Sequence, residues 1–453
     1  MAQRQYNRQE NVYEAAMKRL DFVFENFSRI YVSFSGGKDS GVLLNLILHY
    51  MRERGITDRK IGVQIMDNEA NYEYTVQYMH RMIQENRDKL DVYWCCLPIT
   101  LPCTVSSYDV DWQCWGVKDE PRWVRPMPDE DYVVNIDNHP FGELFQEDMF
   151  VYDFWDMFAE WYSQGEPTAN LIGIRTAESL NRFRAIVNEN KETMRGALWT
   201  KKNTEHTYNV YPIYDWATED VWTANAVFEW DYNYLYDVFY LAGVPVSKMR
   251  VASPFMSESK SSLNLYRVID PHTWAKLCGR VQGANFMATY GKQIGYHTFK
   301  LPEGHTWKSF VKFLLDTLPE ESSGNFKRRI VQSIKYWACT GRGLSEHVIS
   351  ELDRLGVRYR VNGTTPHGGN SLRRVRVLTP IPDHLDSMRA HNSEVTSWKR
   401  FAITILKNDH QCKYMGLAPT QEQQRRQKEI QSKYGSFTKR SKRNEDQATR
   451  DDA

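Results

Sequence analysis

The sequence predicts a doubly wound α/β domain with a mainly parallel sheet, followed by a mostly α-helical domain. In the N-terminal half, short runs of β-branched and aromatic residues alternate with longer apolar segments of helical periodicity. From about residue 266 onward, helical periodicity dominates and strand patterns become rare. Alternation of strands with helices is typical of parallel α/β sheets, whereas the second pattern indicates a separate helical region.

The first elements follow one another in strand–helix order. Residues 11–27 space their apolar side chains at helical intervals. A strand, an apolar helix, a second strand, a second helix and a third strand then follow, which we expect at Arg29–Phe34, 41–54, Lys60–Met66, 71–89 and Asp91–Cys95. This spacing predicts parallel strands joined by right-handed crossovers.

The middle of the chain interrupts this alternation. Residues 98–140 are rich in Trp, Pro and Asp and lack periodicity, which predicts a long ordered insertion of the kind that is usually functional. A further strand is expected at Leu171–Ile174, with a helix from about Ala177. Residues 215–243 are helical and strongly aromatic.

The C-terminal half is predicted to be helical and basic. Helices are expected at Pro271–Tyr290, Thr306–Leu318, Phe326–Thr340, Leu344–Leu355 and 394–407, with a β-like segment at Arg373–Leu378. We therefore predict an N-terminal helix, an α/β domain, a basic helical domain and a charged, disordered tail at 1–27, 28–265, 266–420 and 421–453.

Composition places the chain among ordinary globular proteins. Its 453 residues are 41% hydrophobic and 25% charged. Apolar runs are shorter than the roughly 20 residues that span a bilayer, and the polar segment Met1–Glu10 does not resemble a secretory signal. The seven cysteines occur at irregular positions that do not suggest a disulfide framework. A cytoplasmic location is therefore expected, and a membrane partner is not.

The net charge of +1 conceals an asymmetry along the chain. Residues 321–420 carry +8 and the last 33 residues carry +3, so residues 1–320 carry about −10. Three basic stretches in the positive region have adjacent aromatic or apolar residues: Phe326–Arg329, Arg373–Arg376 and Trp398–Arg400. They favour either contact with nucleic acid or a merely solvated surface, and the sequence leaves both open.

A six-residue loop is the clearest candidate for chemistry. It follows the first predicted strand, precedes an apolar helix and reads Ser35-Gly36-Gly37-Lys38-Asp39-Ser40. Glycines permit a tight turn that directs N–H groups toward one point, and the helix adds its positive dipole end. The serine hydroxyls and Lys38 can bind phosphate oxygens, while Asp39 can cap the helix or hold Mg²⁺. The loop is not a Walker loop, because the glycine spacing differs.

Two further stretches give the loop a family resemblance. Gly173 to Arg182 has the pattern Gly-x-Arg-x-x-Glu-Ser-x-x-Arg, and Tyr211 to Trp222 contains Pro-Ile-x-x-Trp-x-x-x-Asp-Val-Trp. Together with the loop, these motifs resemble the phosphoadenosine phosphosulfate (PAPS) reductase family of the PP-loop ATP pyrophosphatase superfamily. The resemblance implies ATP or a PAPS-like adenine nucleotide as ligand.

The candidate site residues follow from these motifs. Gly173 and Arg175 come after a strand end, where a guanidinium can bind phosphate. Asp67, at the end of the second strand, is placed to meet a ribose hydroxyl. Glu178 and Arg182 either contact nucleotide or form an ion pair across one helical turn. Trp216 and Trp222 are interpreted as core aromatic residues.

The cysteines depart from the family pattern. Authentic PAPS reductases carry a Glu-Cys-Gly-x-His-like sequence near the C-terminus, and this chain has none. Cys412, beside His410 and Lys413, is the nearest feature and is interpreted as structural rather than nucleophilic. The cluster Cys95, Cys96, Cys103 and Cys114 lacks the pairing of usual zinc sites. Sulfonucleotide reduction and an iron–sulfur cluster are therefore not expected.

The C-terminal half has a resemblance of its own. Residues 271–285 and 397–413 are similar to a domain of unknown function fused to this fold in a subgroup that includes the immunoglobulin-binding regulator A proteins of enterobacteria and their mobile elements. That resemblance implies a ParB-like protein partner and a regulatory role. It leaves the acceptor substrate and a homo-oligomeric state open.

Two functions are consistent with these observations. In the first, the chain is a transferase-type enzyme that binds ATP or a sulfated adenine nucleotide and cleaves the α–β phosphate bond. Lys38, Asp39 and Arg175 are its candidate catalytic residues, with Mg²⁺ held by Asp39. In the second, the loop senses a nucleotide while the basic region binds nucleic acid or a ParB-like partner, without catalysis.

Overall fold

The computed structural model describes residues 10–188, 190–256, 263–294, 299–366, 372–386 and 395–415. The chain forms two compact units, Met1–Lys292 and Gln293–Ala453. Residues 266–292, which the sequence assigned to the C-terminal domain, thus belong with the α/β domain. The reason is packing, because Tyr266, Leu277 and Ala284 are buried in its core. The predicted tail at 421–453 lies outside the described residues.

A seven-stranded sheet forms the centre of the first unit. Its strands are β1 (Arg29–Ser33), β2 (Ile61–Met66), β3 (Leu90–Cys95), β6 (Val133–Val134), β7 (Thr168–Leu171), β8 (Thr200–Lys202) and β9 (Thr207–Val210), whereas β4 (Ile99–Pro102) and β5 (Asp111–Cys114) pair separately. The order is β6-β3-β2-β1-β7-β9-β8, with every neighbouring pair parallel except β8 and β9. The predicted doubly wound, mainly parallel fold is therefore confirmed.

The sheet has its switch point between β1 and β7. From β1 the chain adds β2 and β3 on one side, then returns to place β7 on the other side of β1. Ligands of such sheets bind outside the carboxyl ends of the strands at this point. The segments after β1 and β7 therefore meet at the crevice, and they contain the loop at 35–40 and the motif beginning at Gly173.

Helices cover this sheet and complete the first unit. They are α1 (Val12–Asn26), α2 (Lys38–Glu53), α3 (Glu73–Glu85), α4 (Val151–Ser163), α5 (Leu180–Val187), α6 (Thr218–Val227), α7 (Leu235–Leu241), α8 (Tyr266–Ile269), α9 (Pro271–Arg280) and α10 (Ala284–Tyr290). Helix α2 is buried along most of its length, which explains its nearly continuous apolar sequence.

The second unit combines helices with a small sheet. Helices α11 (Trp307–Thr317), α12 (Glu320–Lys335), α13 (Glu346–Arg354) and α14 (Trp398–Leu406) surround their own apolar core. Strands β10 (Arg342–Gly343), β12 (Leu372–Leu378) and β11 (Tyr359–Pro366) form an antiparallel sheet in that order. The sequence predicted only the strand at 373–378, because β11 contains Gly and Asn rather than an apolar alternation.

Two further sequence predictions can be compared with the described residues. The strand expected at Leu171–Ile174 lies at Thr168–Leu171, so Gly173 and Arg175 are in the loop that follows it rather than at its last residues. No helix in the described ranges is long and apolar enough to cross a membrane.

Candidate nucleotide-binding site

The loop after β1 turns tightly and bonds to itself. Gly36 has φ +68°, and a Cβ atom there would lie 2.7 Å from Thr75 Cγ2, so both the backbone and the space require glycine. The Ser35 N–H donates to Ser40 Oγ at 3.2 Å, and that hydroxyl donates to the Gly37 carbonyl at 3.1 Å. Ser35 Oγ and Ser40 Oγ lie 3.0 Å apart. The loop is thus held in shape before any ligand binds.

Helix α2 begins directly behind this loop. Gly37 is its N-cap residue and has no side chain to satisfy the first-turn N–H groups. The Lys38 N–H donates instead to the hydroxyl of Tyr236, at 2.9 Å. Burial raises the pKa of Tyr236, so this hydroxyl stays protonated. The sequence motifs gave no signal for Tyr236, because only the folded chain brings α7 to the loop.

Two buried cations meet one carboxylate at the start of α2. Lys38 Nζ donates to Asp39 Oδ2 at 2.9 Å, and Arg175 Nε donates to Asp39 Oδ1 at 2.7 Å. Lys38 and Arg175 are 7% and 2% exposed. Burial lowers the pKa of Lys38, and the carboxylate of Asp39 opposes that shift. The structure therefore brings the three predicted catalytic residues together, with Asp39 partnered by both cations.

Gly173 explains how the two motifs come so close. A Cβ atom at this position would lie 2.6 Å from the Asp39 carbonyl oxygen and 2.9 Å from the Ser40 nitrogen. These are backbone atoms, so no side-chain rotation could relieve the overlap. Glycine is needed here for close approach of the segment after β7 to the first turn of α2.

The pair Glu178 and Arg182 is found as an ion pair. Glu178 contacts the Arg182 guanidinium and also lies 3.4 Å from Arg175 Nη2. The two residues do not share one helix face as expected, because Glu178 ends a short turn and Ser179 is the N-cap of α5, the helix that contains Arg182. The sequence left open whether Glu178 and Arg182 contact nucleotide or form an ion pair. The ion pair is present in the structure, and the nucleotide contact stays a prediction. Glu178 also gives Arg175 a second carboxylate partner.

Asp67 lies where the sequence predicted, after the last residue of β2, but its carboxylate is fully buried. It accepts from Trp94 Nε1 at 2.6 Å and from the Glu69 N–H at 2.9 Å, and it forms an ion pair with Arg125. A ribose hydroxyl would have to replace one of these partners, so the expected sugar contact stays a prediction.

A second buried carboxylate, Glu69, was not predicted from the sequence. It accepts from the N–H groups of Trp115 at 2.9 Å and Val124 at 3.0 Å, and from Arg280 Nε at 3.0 Å. These contacts connect the end of β2 with the 98–140 insertion and with α9. In the sequence, Glu69 could have been noticed as a second acidic residue close to the end of the strand that precedes Asp67.

The cysteines have the character of core residues. Cys95, Cys96, Cys103 and Cys114 are buried, and burial raises the pKa of Cys96 and Cys114. In the second unit, burial raises the pKa of Cys412 to about 12. A thiolate nucleophile is not favoured at any of these positions.

One metal-ligand cluster is found among the described residues, and it lies away from the loop. Glu160, Glu205 and His206 are close enough to share an ion. His206 precedes the first residue of β9, whereas the loop follows the last residue of β1. Because β1, β7 and β9 are parallel, this cluster is at the opposite end of the sheet.

The parallel sheet and the self-bonded loop at its switch point define a doubly wound α/β domain, whose loop and two motifs resemble those of PP-loop proteins. Residues 243–426 match the family model "Domain of unknown function (DUF3440)". The chain is 31% identical over 417 residues, 90% of its length, to the "Uncharacterized protein YbdN" of Escherichia coli (strain K12), of which it covers 91%. It belongs to the family of that protein. The domain-model match agrees with the expected C-terminal domain, while the narrower regulator subgroup stays a prediction.

The comparison with solved structures also found matches of low similarity. PAPS reductase from Candida auris, in a phosphate complex, has 12% identity and a TM-score of 0.26 over 54% of this chain and 89% of that one. FMN adenylyltransferase from Candida glabrata, with FMN and the ATP analogue AMPCPP, has 16% identity and a TM-score of 0.31 over 50% of this chain. This chain covers 58% of that enzyme, less than two thirds of its length. The U34-tRNA thiolase NcsA from Methanococcus maripaludis, with its [4Fe-4S] cluster, has 13% identity and a TM-score of 0.29. The match covers 62% of this chain and 79% of that one. At such scores these likenesses assign no activity to the chain.

Proposed function

We propose that the chain binds an adenine nucleotide at the loop Ser35–Ser40 and cleaves its α–β phosphate bond, passing the adenylyl group to an acceptor. In the sulfur-transferring form of this reaction, a sulfur donor then attacks the adenylated acceptor and AMP leaves. The observation that carries this proposal is the convergence of two buried cations, Lys38 and Arg175, on the first turn of α2. Buried cations that neutralise one carboxylate in the resting protein can exchange it for phosphate oxygens, which are likewise anionic acceptors of charge-assisted hydrogen bonds.

Each residue has a distinct task in this reaction. A nucleophilic atom of the acceptor attacks the α-phosphorus, the bond from that phosphorus to the bridging oxygen breaks, and diphosphate leaves with the electron pair. The loop and the N-terminus of α2 surround the diphosphate. Lys38 and Arg175 stabilise the charge that develops on its oxygens. Their burial excludes water, which strengthens these interactions.

Asp39 fits the role of a magnesium ligand in part. Mg²⁺ is commonly held by one or two carboxylates together with substrate phosphates, and Asp39 is the carboxylate nearest the loop's cations. Magnesium would neutralise phosphate charge at this position. Because Lys38 and Arg175 occupy both oxygens of Asp39, their movement toward phosphate is what would free the carboxylate for the ion.

Pyrophosphate release tests this proposal. The purified protein is incubated with ATP and Mg²⁺, alone and with candidate acceptors including RNA and DNA. We expect release that falls about 100-fold in Lys38→Ala, the usual effect of losing one preorganised charge partner. Lys18→Ala is the matched control, since Lys18 is an exposed lysine on α1. The proposal is overturned if no pyrophosphate is released under any of these conditions and the protein binds no ATP analogue.

A second candidate function rests on the small sheet of the second unit. Arg376 pairs across the strands with Arg342 and is 6% exposed, yet its Nε and Nη1 atoms have no hydrogen-bond partner among the described residues. Its guanidinium lies 5.2 Å from the ring centre of Tyr359. Arg374, two residues away on β12, is exposed. Arg342 and Arg374 present two exposed guanidinium groups on this sheet that phosphate groups could bind, which supports a nucleotide-sensing protein that binds nucleic acid.

Salt dependence of binding tests this alternative. Labelled duplex DNA and single-stranded RNA are titrated with protein at several salt concentrations. Binding that weakens with salt, is lowered by a combined Arg342→Gln and Arg374→Gln change, and survives in Lys38→Ala would support it. Arg354→Gln is the control, since that arginine pairs with Glu351 on α13. A chain that binds neither nucleic acid at low salt leaves only the proposed ParB-like partner, which pull-down with a purified ParB-like protein would test.

A further inference from the structure

Residues 249–251, which lie between α7 and α8, contact Lys38 at two points. The Met249 carbonyl accepts from Lys38 Nζ at 3.5 Å. The Val251 N–H hydrogen-bonds the Tyr236 hydroxyl, and that hydroxyl also accepts from the Lys38 N–H at 2.9 Å. The segment therefore meets the amine of Lys38 directly and its backbone nitrogen through Tyr236. The three sequence motifs of the site do not include these residues.

The side chain of Arg250, in the middle of this segment, reaches the motif that begins at Gly173. Its Nη2 donates to the Glu178 carbonyl at 3.2 Å. The Glu178 carboxylate in turn lies 3.4 Å from Arg175 Nη2. Burial lowers the pKa of Lys38, and the nearby positive charges of Arg175 and Arg250 lower it further. Arg250 is thus a third cation beside the two that converge on the first turn of α2.

Arg250 differs from the other arginines of the site in its exposure and its partners. Arg175 is buried and pairs with Asp39, and Arg182 pairs with Glu178. Arg250 is exposed, and within the described ranges its guanidinium meets a carbonyl group and no carboxylate. Its positive charge is therefore not neutralised by an ion pair.

The cations of the site lie in two layers. Lys38 and Arg175 are 7% and 2% exposed, and they share Asp39. Arg250 lies at the surface with its charge unpaired, in a part of the chain, residues 1–320, that carries about −10. A guanidinium has five N–H donors and can bind phosphate through two of them at once. Because the carbonyl contact uses one of these donors, the others remain for an anion.

Two layers of cations suit a leaving group that has two phosphoryl units. A diphosphate is longer than a sulfate and carries more negative charge, whereas a sulfate is a single tetrahedral anion. The buried pair can stabilise one such unit at the first turn of α2. A second unit linked to the first can reach the surface, where Arg250 lies. A sulfate would end at the buried pair and would leave Arg250 without a contact.

We propose that Arg250 binds the outer phosphate of the diphosphate leaving group, and that the site consequently favours a nucleoside triphosphate over a sulfated nucleotide. This inference rests on the proposed function, because it concerns the leaving group of the same reaction. Arg250 stabilises the departing charge from the solvent side, while Lys38 and Arg175 do so from the interior. The contacts of residues 249–251 with Lys38 keep Arg250 beside the loop.

Calorimetric titration of the full-length protein with three ligands tests this role. They are AMPCPP with Mg²⁺, whose α–β bridge resists cleavage, adenosine 5′-phosphosulfate and AMP. The unmodified chain should bind AMPCPP more tightly than the phosphosulfate. We expect Arg250→Gln to weaken AMPCPP binding at least about tenfold, as for a lost hydrogen bond to a charged group, and to change binding of the other two less than about twofold. Arg250→Lys, which keeps the charge without the planar fork, should recover part of the loss. Lys248→Gln is the matched control, since Lys248 is an exposed cation two positions away, and it should bind as the unmodified chain does.

The ligand series separates a phosphate contact from a structural role. Displacement of the loop would weaken all three ligands alike, so equal weakening by Arg250→Gln overturns the inference, as does tighter binding of the phosphosulfate than of AMPCPP. A thermal scan of each variant reports folding, and a variant that melts early is replaced by Arg250→Met. If the unmodified chain binds none of the three ligands, the proposed function falls together with the inference. AMPCPP binding that Arg250→Gln leaves unchanged removes the inference alone.

Discussion

Gly173→Ala is the substitution whose effect can be worked out most directly from the structure. The added Cβ would lie 2.6 Å from the Asp39 carbonyl oxygen, 2.7 Å from its carbon and 2.9 Å from the Ser40 nitrogen. All three atoms belong to the backbone of the first turn of α2. The segment after β7 must therefore move away from the loop, since none of these atoms can rotate aside.

Overpacking of this kind costs about 1–3 kcal/mol of unfolding free energy. In a unit of this size we expect the melting temperature to fall by roughly 2–10 °C. The same movement pulls Arg175 away from Asp39, so affinity for a non-hydrolysable ATP analogue should fall at least about tenfold, which corresponds to ~1.4 kcal/mol. Thermal scanning measures the first effect and calorimetric titration the second.

Gly279→Ala is the matched control. Gly279 lies in α9, and a Cβ atom there would meet nothing within 4 Å. Alanine in a helix is favoured over glycine by about 1 kcal/mol, so this variant should be slightly more stable than the unmodified chain, with unchanged nucleotide affinity. If Gly173→Ala were as stable as Gly279→Ala and bound the analogue normally, the close approach of the two motifs would be refuted.

Three other outcomes are expected. Glu69→Gln should lower the unfolding free energy by about 1–3 kcal/mol in chemical denaturation, because the buried acceptor of Arg280 becomes a neutral amide while Arg280 keeps its second carboxylate partner, Asp119; no measurable loss would contradict the ion pair. Cys412 should resist iodoacetamide at pH 8 in the folded chain, since burial raises its pKa to about 12, whereas the exposed Cys339 should be labelled, as peptide mass spectrometry would show. Burial lowers the pKa of Lys38, and only the protonated amine attracts phosphate. Affinity for ATP, measured by titration at several pH values, should therefore decline as pH rises, with a midpoint below the ordinary lysine pKa of 10.5. An affinity that stays constant up to pH 10.5 would argue against this role of Lys38.

The sequence predicted those parts of the fold that depend on local pattern. The parallel strands around Arg29–Ser33 and Ile61–Met66 were evident because fully buried strands are continuously apolar. The loop at 35–40 was evident because its residue types follow from a tight turn before a helix. Gly173 and Arg175 were identified through a motif, and the structure brings Arg175 to Asp39 from 136 positions away.

What the sequence did not predict depends on distant parts of the chain meeting. Nothing around Tyr236 marks it as the partner of the Lys38 N–H, because that contact spans 198 positions. Asp67 was placed at the end of the second strand from the sequence, but its partners Trp94 and Arg125 could not be predicted. Hydrophobic periodicity indicates which face of a helix or strand is buried. It does not indicate which polar group from a distant part of the chain packs against that face.

The ion pair between Glu69 and Arg280 also has a consequence for how the chain is made. It joins residues 211 positions apart, and it involves the same arginine that donates to the Gln113 carbonyl at 2.6 Å. During synthesis, the first strands leave the ribosome long before α9 does, so Glu69 has no cationic partner in α9 until residue 280 has emerged. A chain released at residue 265 would carry the loop and both motifs, yet Glu69 would have only the N–H groups of Trp115 and Val124 as partners and no cation from α9.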